Sequence, residues 1–275
     1  MDRRNFLKTG GIALLGSLAT GSAMALTTPG ALGGEGADKK AAVALAMNHF
    51  GVSEADLKKV LAAALEKGGD YADLFFEHTI TNSIRLMDGA VNNSYSNIDY
   101  GVGVRVLIGD QSGYAYVENI TVEDMLKAAR TAARIASANK GNKPLNLTEK
   151  ELKKNYYTVA SPWEEVSLKD KMPYLQKLND RIFALDKRVH KVQASQSDTT
   201  SHIFFCNSEG VMFYDYRPMV TLGAVCIMEE DGKTENGYAA RAYRRGFDFL
   251  SDEVVDVIAR EAVDGKPMIR AMFLE

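Results

Sequence analysis

Four histidines, His49, His78, His190 and His202, and two cysteines, Cys206 and Cys226, are the residues of this chain that could hold a metal ion. A helical zinc motif needs a second His or a Glu one turn away, so that both side chains reach one site. None of the four histidines has such a neighbour. His202 and Cys206 share parity on one strand, and Cys226 offers a third ligand. Both cysteines sit in apolar runs, as buried structural thiols do. Neither a zinc site nor a disulfide between them is therefore expected.

Other chemistry-bearing spacings fare no better. Gly101-Val-Gly103 lies inside a strand pattern with more strand behind it, whereas a phosphate loop needs a helix to follow. Ser137-Ala-Asn-Lys140 has the Ser-x-x-Lys spacing of penicillin-recognising enzymes but lacks their companion motifs. Asp70, Asp73 and Glu77 include two carboxylates of equal parity, too far apart along a strand to act as a couple. Arg241, Arg244 and Arg245 with Tyr238 and Tyr243 form a basic-aromatic cluster, read as a solvated strand end. Thirty-three Lys and Arg against 36 Asp and Glu give a net charge of −3. No general attraction to nucleic acid or anionic membrane follows from that balance.

The elements that would position these residues are legible from periodicity. Asp70–Asn119 alternates apolar and polar residues around an Asp88-Gly89 turn and a Gly109–Gly113 turn, as a meander of long antiparallel strands does. Helices are expected at Ser53–Lys67, Thr121–Ala138, Ser167–Asp186 and Ser251–Val263, with a short one over Ala41–Phe50. Ser53 with Asp56 resembles a capping box, and Pro173 is tolerated near its helix start. Between the last two long helices, strands are expected at Val189–Ser197, His202–Cys206, Val211–Tyr216, Met219–Met228 and Gly237–Tyr243. Helix, strands, helix thus occurs twice. The fold class is α+β: antiparallel sheets covered on one face by helices, in units at 41–140 and 167–263. A connection at 141–166 joins them, and a divergent tail covers 264–275.

Residues 1–25 read as an export signal rather than as part of the fold. Arg3 and Arg4 stand directly before Phe6-Leu7-Lys8, an apolar Gly-rich run follows, and Ala23-Met24-Ala25 supplies a small-x-small cleavage pattern. The alternative is a short amphipathic or buried helix. The signal reading implies the twin-arginine route and a periplasmic location, against a cytoplasmic one. The run is too short for a stable membrane span. Residues 26–40 are Gly-, Ala- and Pro-rich and read as a flexible linker.

The order Asp70-Tyr-Ala-Asp-Leu-Phe, Asp88-Gly89 with Asn92-Asn93-Ser94, then Asn97-Ile-Asp99-Tyr-Gly101-Val-Gly103-Val-Arg105 closely resembles the N-terminal half of the TldD/PmbA zinc metalloproteases. The resemblance extends, more weakly, over about Ser53 to Val263. It implies a dimeric protease of unfolded peptides, as a homodimer or with a TldD/PmbA-type partner. In the family, zinc sits on a His-Glu-x-x-x-His helix of the C-terminal half: two His hold the ion and the Glu takes a proton from bound water. No such sequence occurs between Met1 and Glu275, so no cofactor is expected in this chain and zinc only in a full-length relative. Two readings follow: the non-metal part of such a protease, inactive alone, or a non-catalytic peptide-binding or assembly protein. In either, Asp99, Gly101, Gly103 and Arg105 mark a strand that could take an extended peptide.

Overall fold

The computed structural model describes residues 39–136, 148–149 and 159–265. The export signal with Arg3, Arg4, Phe6, Leu7, Ala23 and Ala25, most of the linker, the Ser137–Lys140 tetrad and nearly all of the tail lie outside them. Two helices open the fold, α1 (Lys39–Phe50) and α2 (Glu54–Ala64), then β1 (Tyr71–Met87), β2 (Ala90–Ile108), β3 (Gln111–Val117) and α3 (Val122–Ile135). A two-residue β4 (Thr148–Glu149) and a 3-10 turn (Trp163–Glu165) lead to α4 (Leu168–Leu185). β5 (Val189–Asn207), β6 (Val211–Glu230), β7 (Lys233–Tyr243) and α5 (Asp252–Asp264) complete it.

Local signals set the boundaries. Ser53 and Asp56 form a reciprocal capping box at α2, Ser167 and Asp170 another at α4, and Thr121 and Ser251 cap α3 and α5. Asp88 and Gly89 both take positive φ, 49° and 80°, the conformation of a tight two-residue hairpin turn whose twist matches its strands.

The strands of both expected units join in one seven-stranded sheet, ordered β3-β2-β1-β5-β6-β4 with β7 also on β6. This corrects the expectation of separate sheets. β1 pairs antiparallel with β5 from Asp73↔Asn207 to Met87↔Gln193. Two further corrections concern strand length. β5 runs unbroken for 19 residues and β6 for 20, where breaks were expected at Asp198–Ser201 and Arg217–Pro218. Polar pairs carry β5 through its Ser/Thr-rich middle: Thr81 with Thr199 at 3.1 Å, Thr79 with Ser201 at 2.8 Å. Pro218 is tolerated because, among the described residues, β4 and β7 flank β6 only at 211–212 and 220–230 and leave its outer side open.

Long strands let one sheet face serve two cores. Ala72, Leu74 and Phe76 of β1 share parity with Ile84 and Leu86 on the same strand. The first three pack with α1, α2, α3 and Val102, Val104 and Val106. The last two pack with α4, α5 and the even positions of β6 from Val220 to Met228. All the described α-helices thus cover one face, as expected for this class. α3 approaches β3 closely through Ala132, so a Cβ on Gly113 would lie 2.0 Å from the Ala132 carbonyl oxygen. Gly113→Ala is expected to lower stability by about 1–3 kcal/mol through overpacking. A lowered denaturant midpoint at unchanged slope is the readout, and an unchanged midpoint would contradict this packing.

Candidate functional site

A polar belt separates the two cores on the helix-covered face. Its register positions are His78↔His202↔Tyr216, Ile80↔Thr200 and Asn82↔Asp198. At one end, Lys171 of α4 meets Asp198 of β5 at 2.5 Å, with side chains 4% and 1% exposed. Gln196 Nε2 and Asn82 Nδ2 also donate to the Asp198 carboxylate, at 2.9 and 3.0 Å. The Lys171 ammonium stands 5.3 Å from the Trp163 ring centroid, a cation–π contact. Trp163 Nε1 in turn donates to the Arg245 carbonyl at 2.8 Å, tying the 3-10 turn down.

The other end gathers three of the four histidines. His49 from the last turn of α1 lies over His78 of β1 and His202 of β5, ring centroids 5.0 and 4.8 Å apart. His49 Nε2 and His78 Nδ1 share a hydrogen bond of 2.8 Å. His202 places Nε2 3.1 Å from Glu164 Oε1 and Nδ1 2.7 Å from the Tyr214 hydroxyl. Tyr216 donates to Glu164 Oε2 at 3.1 Å, and Thr200 to the same oxygen at 3.3 Å. Burial acts to raise the Glu164 carboxyl, but hydrogen bonds from His202 and Tyr216 outweigh it and hold the group below its ordinary range. An ionised Glu164 accepts the Nε2–H of His202, which leaves Nδ1 of a neutral ring to accept from Tyr214. His49 is exposed on its outer side; partial desolvation over the sheet, then the neighbouring imidazoles of His202 and His78, push it down to about 4, against the pull of Glu164.

These groups do not fit a zinc centre. Both nitrogens of His202 are engaged, and the facing nitrogens of His49 and His78 are engaged with each other. Among the described residues no group of three or more His, Cys, Asp and Glu side chains is arranged to hold a metal ion. Cys206 lies in the first core and Cys226 in the second, so neither shares a site with the other, and His202 meets neither thiol in its hydrogen bonds.

The expected peptide strand divides in two. β3 pairs with β2 from Val102 to Ile108 and covers that half. Gly103 and Arg105 fall there: the Tyr114 phenol lies across Gly103, whose missing Cβ would sit 2.5 Å from its hydroxyl. Arg105 Nε and Nη2 donate to the buried Asp73 carboxylate at 2.9 and 2.5 Å. Within the sheet, Gly103 thus lies beneath Tyr114 and Arg105 is anchored on Asp73. Asp99 lies on the other half, 90–100, where β2 has no outer partner among the described residues, whereas a Cβ on Gly101 would lie 2.5 Å from the Val117 carbonyl oxygen at the end of β3. Tyr95 and Ile98 are 56% and 61% exposed there. Tyr100 carries this free half back to the belt, edge-on to His78 at 5.3 Å.

Two arginines of the basic-aromatic cluster are held in ion pairs. Arg241 pairs with Glu261 at 2.5 Å and Arg245 with Asp248. Sequence reasoning missed the histidine cluster because its members come from three elements, and His78 meets His202 only through the β1–β5 register. Glu164 was hidden in the expected connection at 141–166.

Comparison with known proteins places this geometry. The sequence pattern of PmbA/TldA metallopeptidase domain 1 matches residues 72–136. That of the PmbA/TldA metallopeptidase central domain matches residues 161–265. The chain belongs to the PmbA/TldD family. A metalloprotease TldD homologue from Haemophilus influenzae is 31% identical over 205 residues, covering 73% of this chain and 42% of the relative. PmbA/TldD relatives of this kind are thus matched over about two-fifths of their length. Among solved structures, a proposed modulator of DNA gyrase from Thermotoga maritima aligns with a TM-score of 0.60 at 19% identity, over 77% of this chain and 47% of that one. TldE from Thermococcus kodakarensis aligns at 0.55 and 16%, over 76% and 46%. These likenesses establish the PmbA/TldD fold for the sheet and its helices.

Lys171→Met leaves the Asp198 charge buried without its cation and is expected to cost about 3–5 kcal/mol. Adding Asp198→Asn removes the stranded charge and offers a donor to Gln196 Oε1, which is buried without a partner. The double variant is expected to recover most of the loss in a denaturant titration; equal loss in both would show that charge is not the cause.

Proposed function

We propose that this chain forms the substrate-engaging and subunit-contacting portion of a TldD-like zinc metallopeptidase acting on unfolded peptides. The observation that carries the reading is the succession of the family's first and central domains along one chain. The His-Glu-x-x-x-His sequence implied by the family is not among these 275 residues. In this reading the zinc helix comes from further family polypeptide, in the same protein or in a partner subunit of TldD/PmbA type, and no proteolytic step runs through the side chains described above.

The chain's own contribution is the free half of β2. An extended peptide adds to an unpaired strand through main-chain hydrogen bonds, and alternate side chains fall to either sheet face. Natural sheets blunt their edges with Lys or Pro. Residues 90–100, Ala-Val-Asn-Asn-Ser-Tyr-Ser-Asn-Ile-Asp-Tyr, contain neither and only one charge, Asp99. A neutral, accessible edge of this kind suits an unfolded peptide. We also propose delivery by the twin-arginine route to the periplasm, on the strength of Arg3, Arg4, Phe6, Leu7 and the Ala23-x-Ala25 site. No described helix is long and apolar enough to cross a membrane.

Three measurements test the reading. The purified chain alone is expected to bind a fluorescent unfolded peptide without cleaving it. Chelator-sensitive cleavage by this chain alone would overturn the division of labour. Ile98→Lys is expected to weaken that binding about tenfold, roughly the effect of 1.4 kcal/mol, without moving the thermal midpoint; unchanged affinity would remove β2 from the site. Arg3→Lys with Arg4→Lys is expected to retain the protein in the cytoplasm on fractionation, and an unchanged location would discard the export proposal.

A further inference from the structure

We propose that His49, His78 and His202 form an acid-released latch that fixes the C-terminal end of α1 on the sheet beside the free half of β2. The stack ties this helix end to the sheet through a polar contact between His49 and His78. The helix is otherwise held by Val43, Ala46 and Phe50 in the first core. Phe50 stacks near Phe76, Tyr100 and Phe204 at centroid distances of 5.4, 6.0 and 6.5 Å. The latch therefore sits over an apolar patch that it helps to keep covered.

The hydrogen bond between His49 Nε2 and His78 Nδ1 requires one nitrogen to donate and the other to accept. It therefore survives at most one proton beyond the neutral pair. Uptake of a proton by each ring removes the acceptor and sets like charges face to face at about the stacking distance. The charged and titratable groups around the stack offer little relief. His49 comes from α1, His78 from β1, Tyr100 from β2, His202 from β5, Tyr214 and Tyr216 from β6, and Glu164 from the 3-10 turn. Glu164 is the carboxylate of this set, and its oxygens already serve His202, Tyr216 and Thr200. Glu77 and Asp73 of β1 have odd parity and lie on the opposite sheet face, as does Asp215 of β6.

The sign follows from the docked and released states. A released histidine takes up its proton near the ordinary value of about 6.5. Docked His49, exposed on its outer side, does so only near about 4, because partial desolvation over the sheet and then its two imidazole neighbours disfavour the charge. Burial first, then His202, lowers His78 as well. Above about pH 6.5 both states are neutral and the latch holds. As pH falls towards 4, the released state gains protons that the docked state does not, so docking weakens by up to about tenfold per pH unit for one histidine. Release draws Phe50 off Phe76, Phe204 and Tyr100 and bares those rings next to residues 90–100.

Hydrogen exchange of the full chain at about pH 7.5 and about pH 5, corrected for intrinsic exchange rates, tests the latch. Protection over 39–50 is expected to fall at least about tenfold at the lower pH, while α5 stays protected. In His49→Gln the protection of α1 is expected to lose this pH dependence. Equal protection of wild-type α1 at both pH values, or the same fall in His49→Gln, would overturn the proposal. Should the variant not fold, ring-proton NMR of the wild-type chain decides: a His49 midpoint below about 5 supports the latch, and any higher one overturns it.

Discussion

Everything in this molecule hangs on the antiparallel pairing of β1 with β5. Fifteen consecutive register positions, Asp73↔Asn207 to Met87↔Gln193, weld two helix–strand groups into a single sheet. Neither group could otherwise share a core, because each set of helices covers only its own end of the strands. The pairing also creates the polar belt. Where the two apolar clusters stop, the positions brought face to face are His78 with His202, Ile80 with Thr200 and Asn82 with Asp198. A sheet with two separate cores must fill the seam, and here the seam is filled by hydrogen bonds and one buried ion pair.

Such a seam is stable only when its charged groups are partnered. Asp198 accepts from Lys171, Gln196 and Asn82, and Glu164 accepts from His202, Tyr216 and Thr200. Buried polar groups of this kind contribute little net stability when satisfied and cost heavily when one partner is lost. They discriminate between registers, since a one-residue slip of β5 on β1 would turn each of them to the opposite face. The belt is thus the part of the sheet that specifies how β1 and β5 meet, while the apolar clusters at either end supply the drive for them to meet at all.

Most of the fold was legible in the sequence. Ser53, Thr121, Ser167 and Ser251 announced their helices, and Asp88-Gly89 announced the first hairpin, because caps and tight turns are set by residues a few positions apart. The single sheet was not legible, because it depends on a register between residues more than a hundred positions distant. The same limit explains the false breaks at Asp198–Ser201 and Pro218. Both look like turns locally and are held extended by neighbours that only the tertiary structure brings. For the candidate strand, Asp99 stands on the unpaired part of β2, Gly101 abuts the end of β3 at Val117, and Gly103 and Arg105 are covered by β3 and Asp73; that division depends on the β2–β3 register and not on residue type. The histidine cluster had no local signature at all.

The distance along the chain between β1 and β5 also bears on synthesis. Ala72 donates its backbone N–H to Ser208 Oγ across 136 residues. At ordinary elongation rates the ribosome takes roughly ten seconds to reach that partner. Through that interval one whole side of β1, aromatic and rich in β-branched residues, emerges with its backbone amides and carbonyls unmet. A nascent chain in that state is a natural client for chaperones, and its maturation is governed by how soon β5 arrives to close the gap.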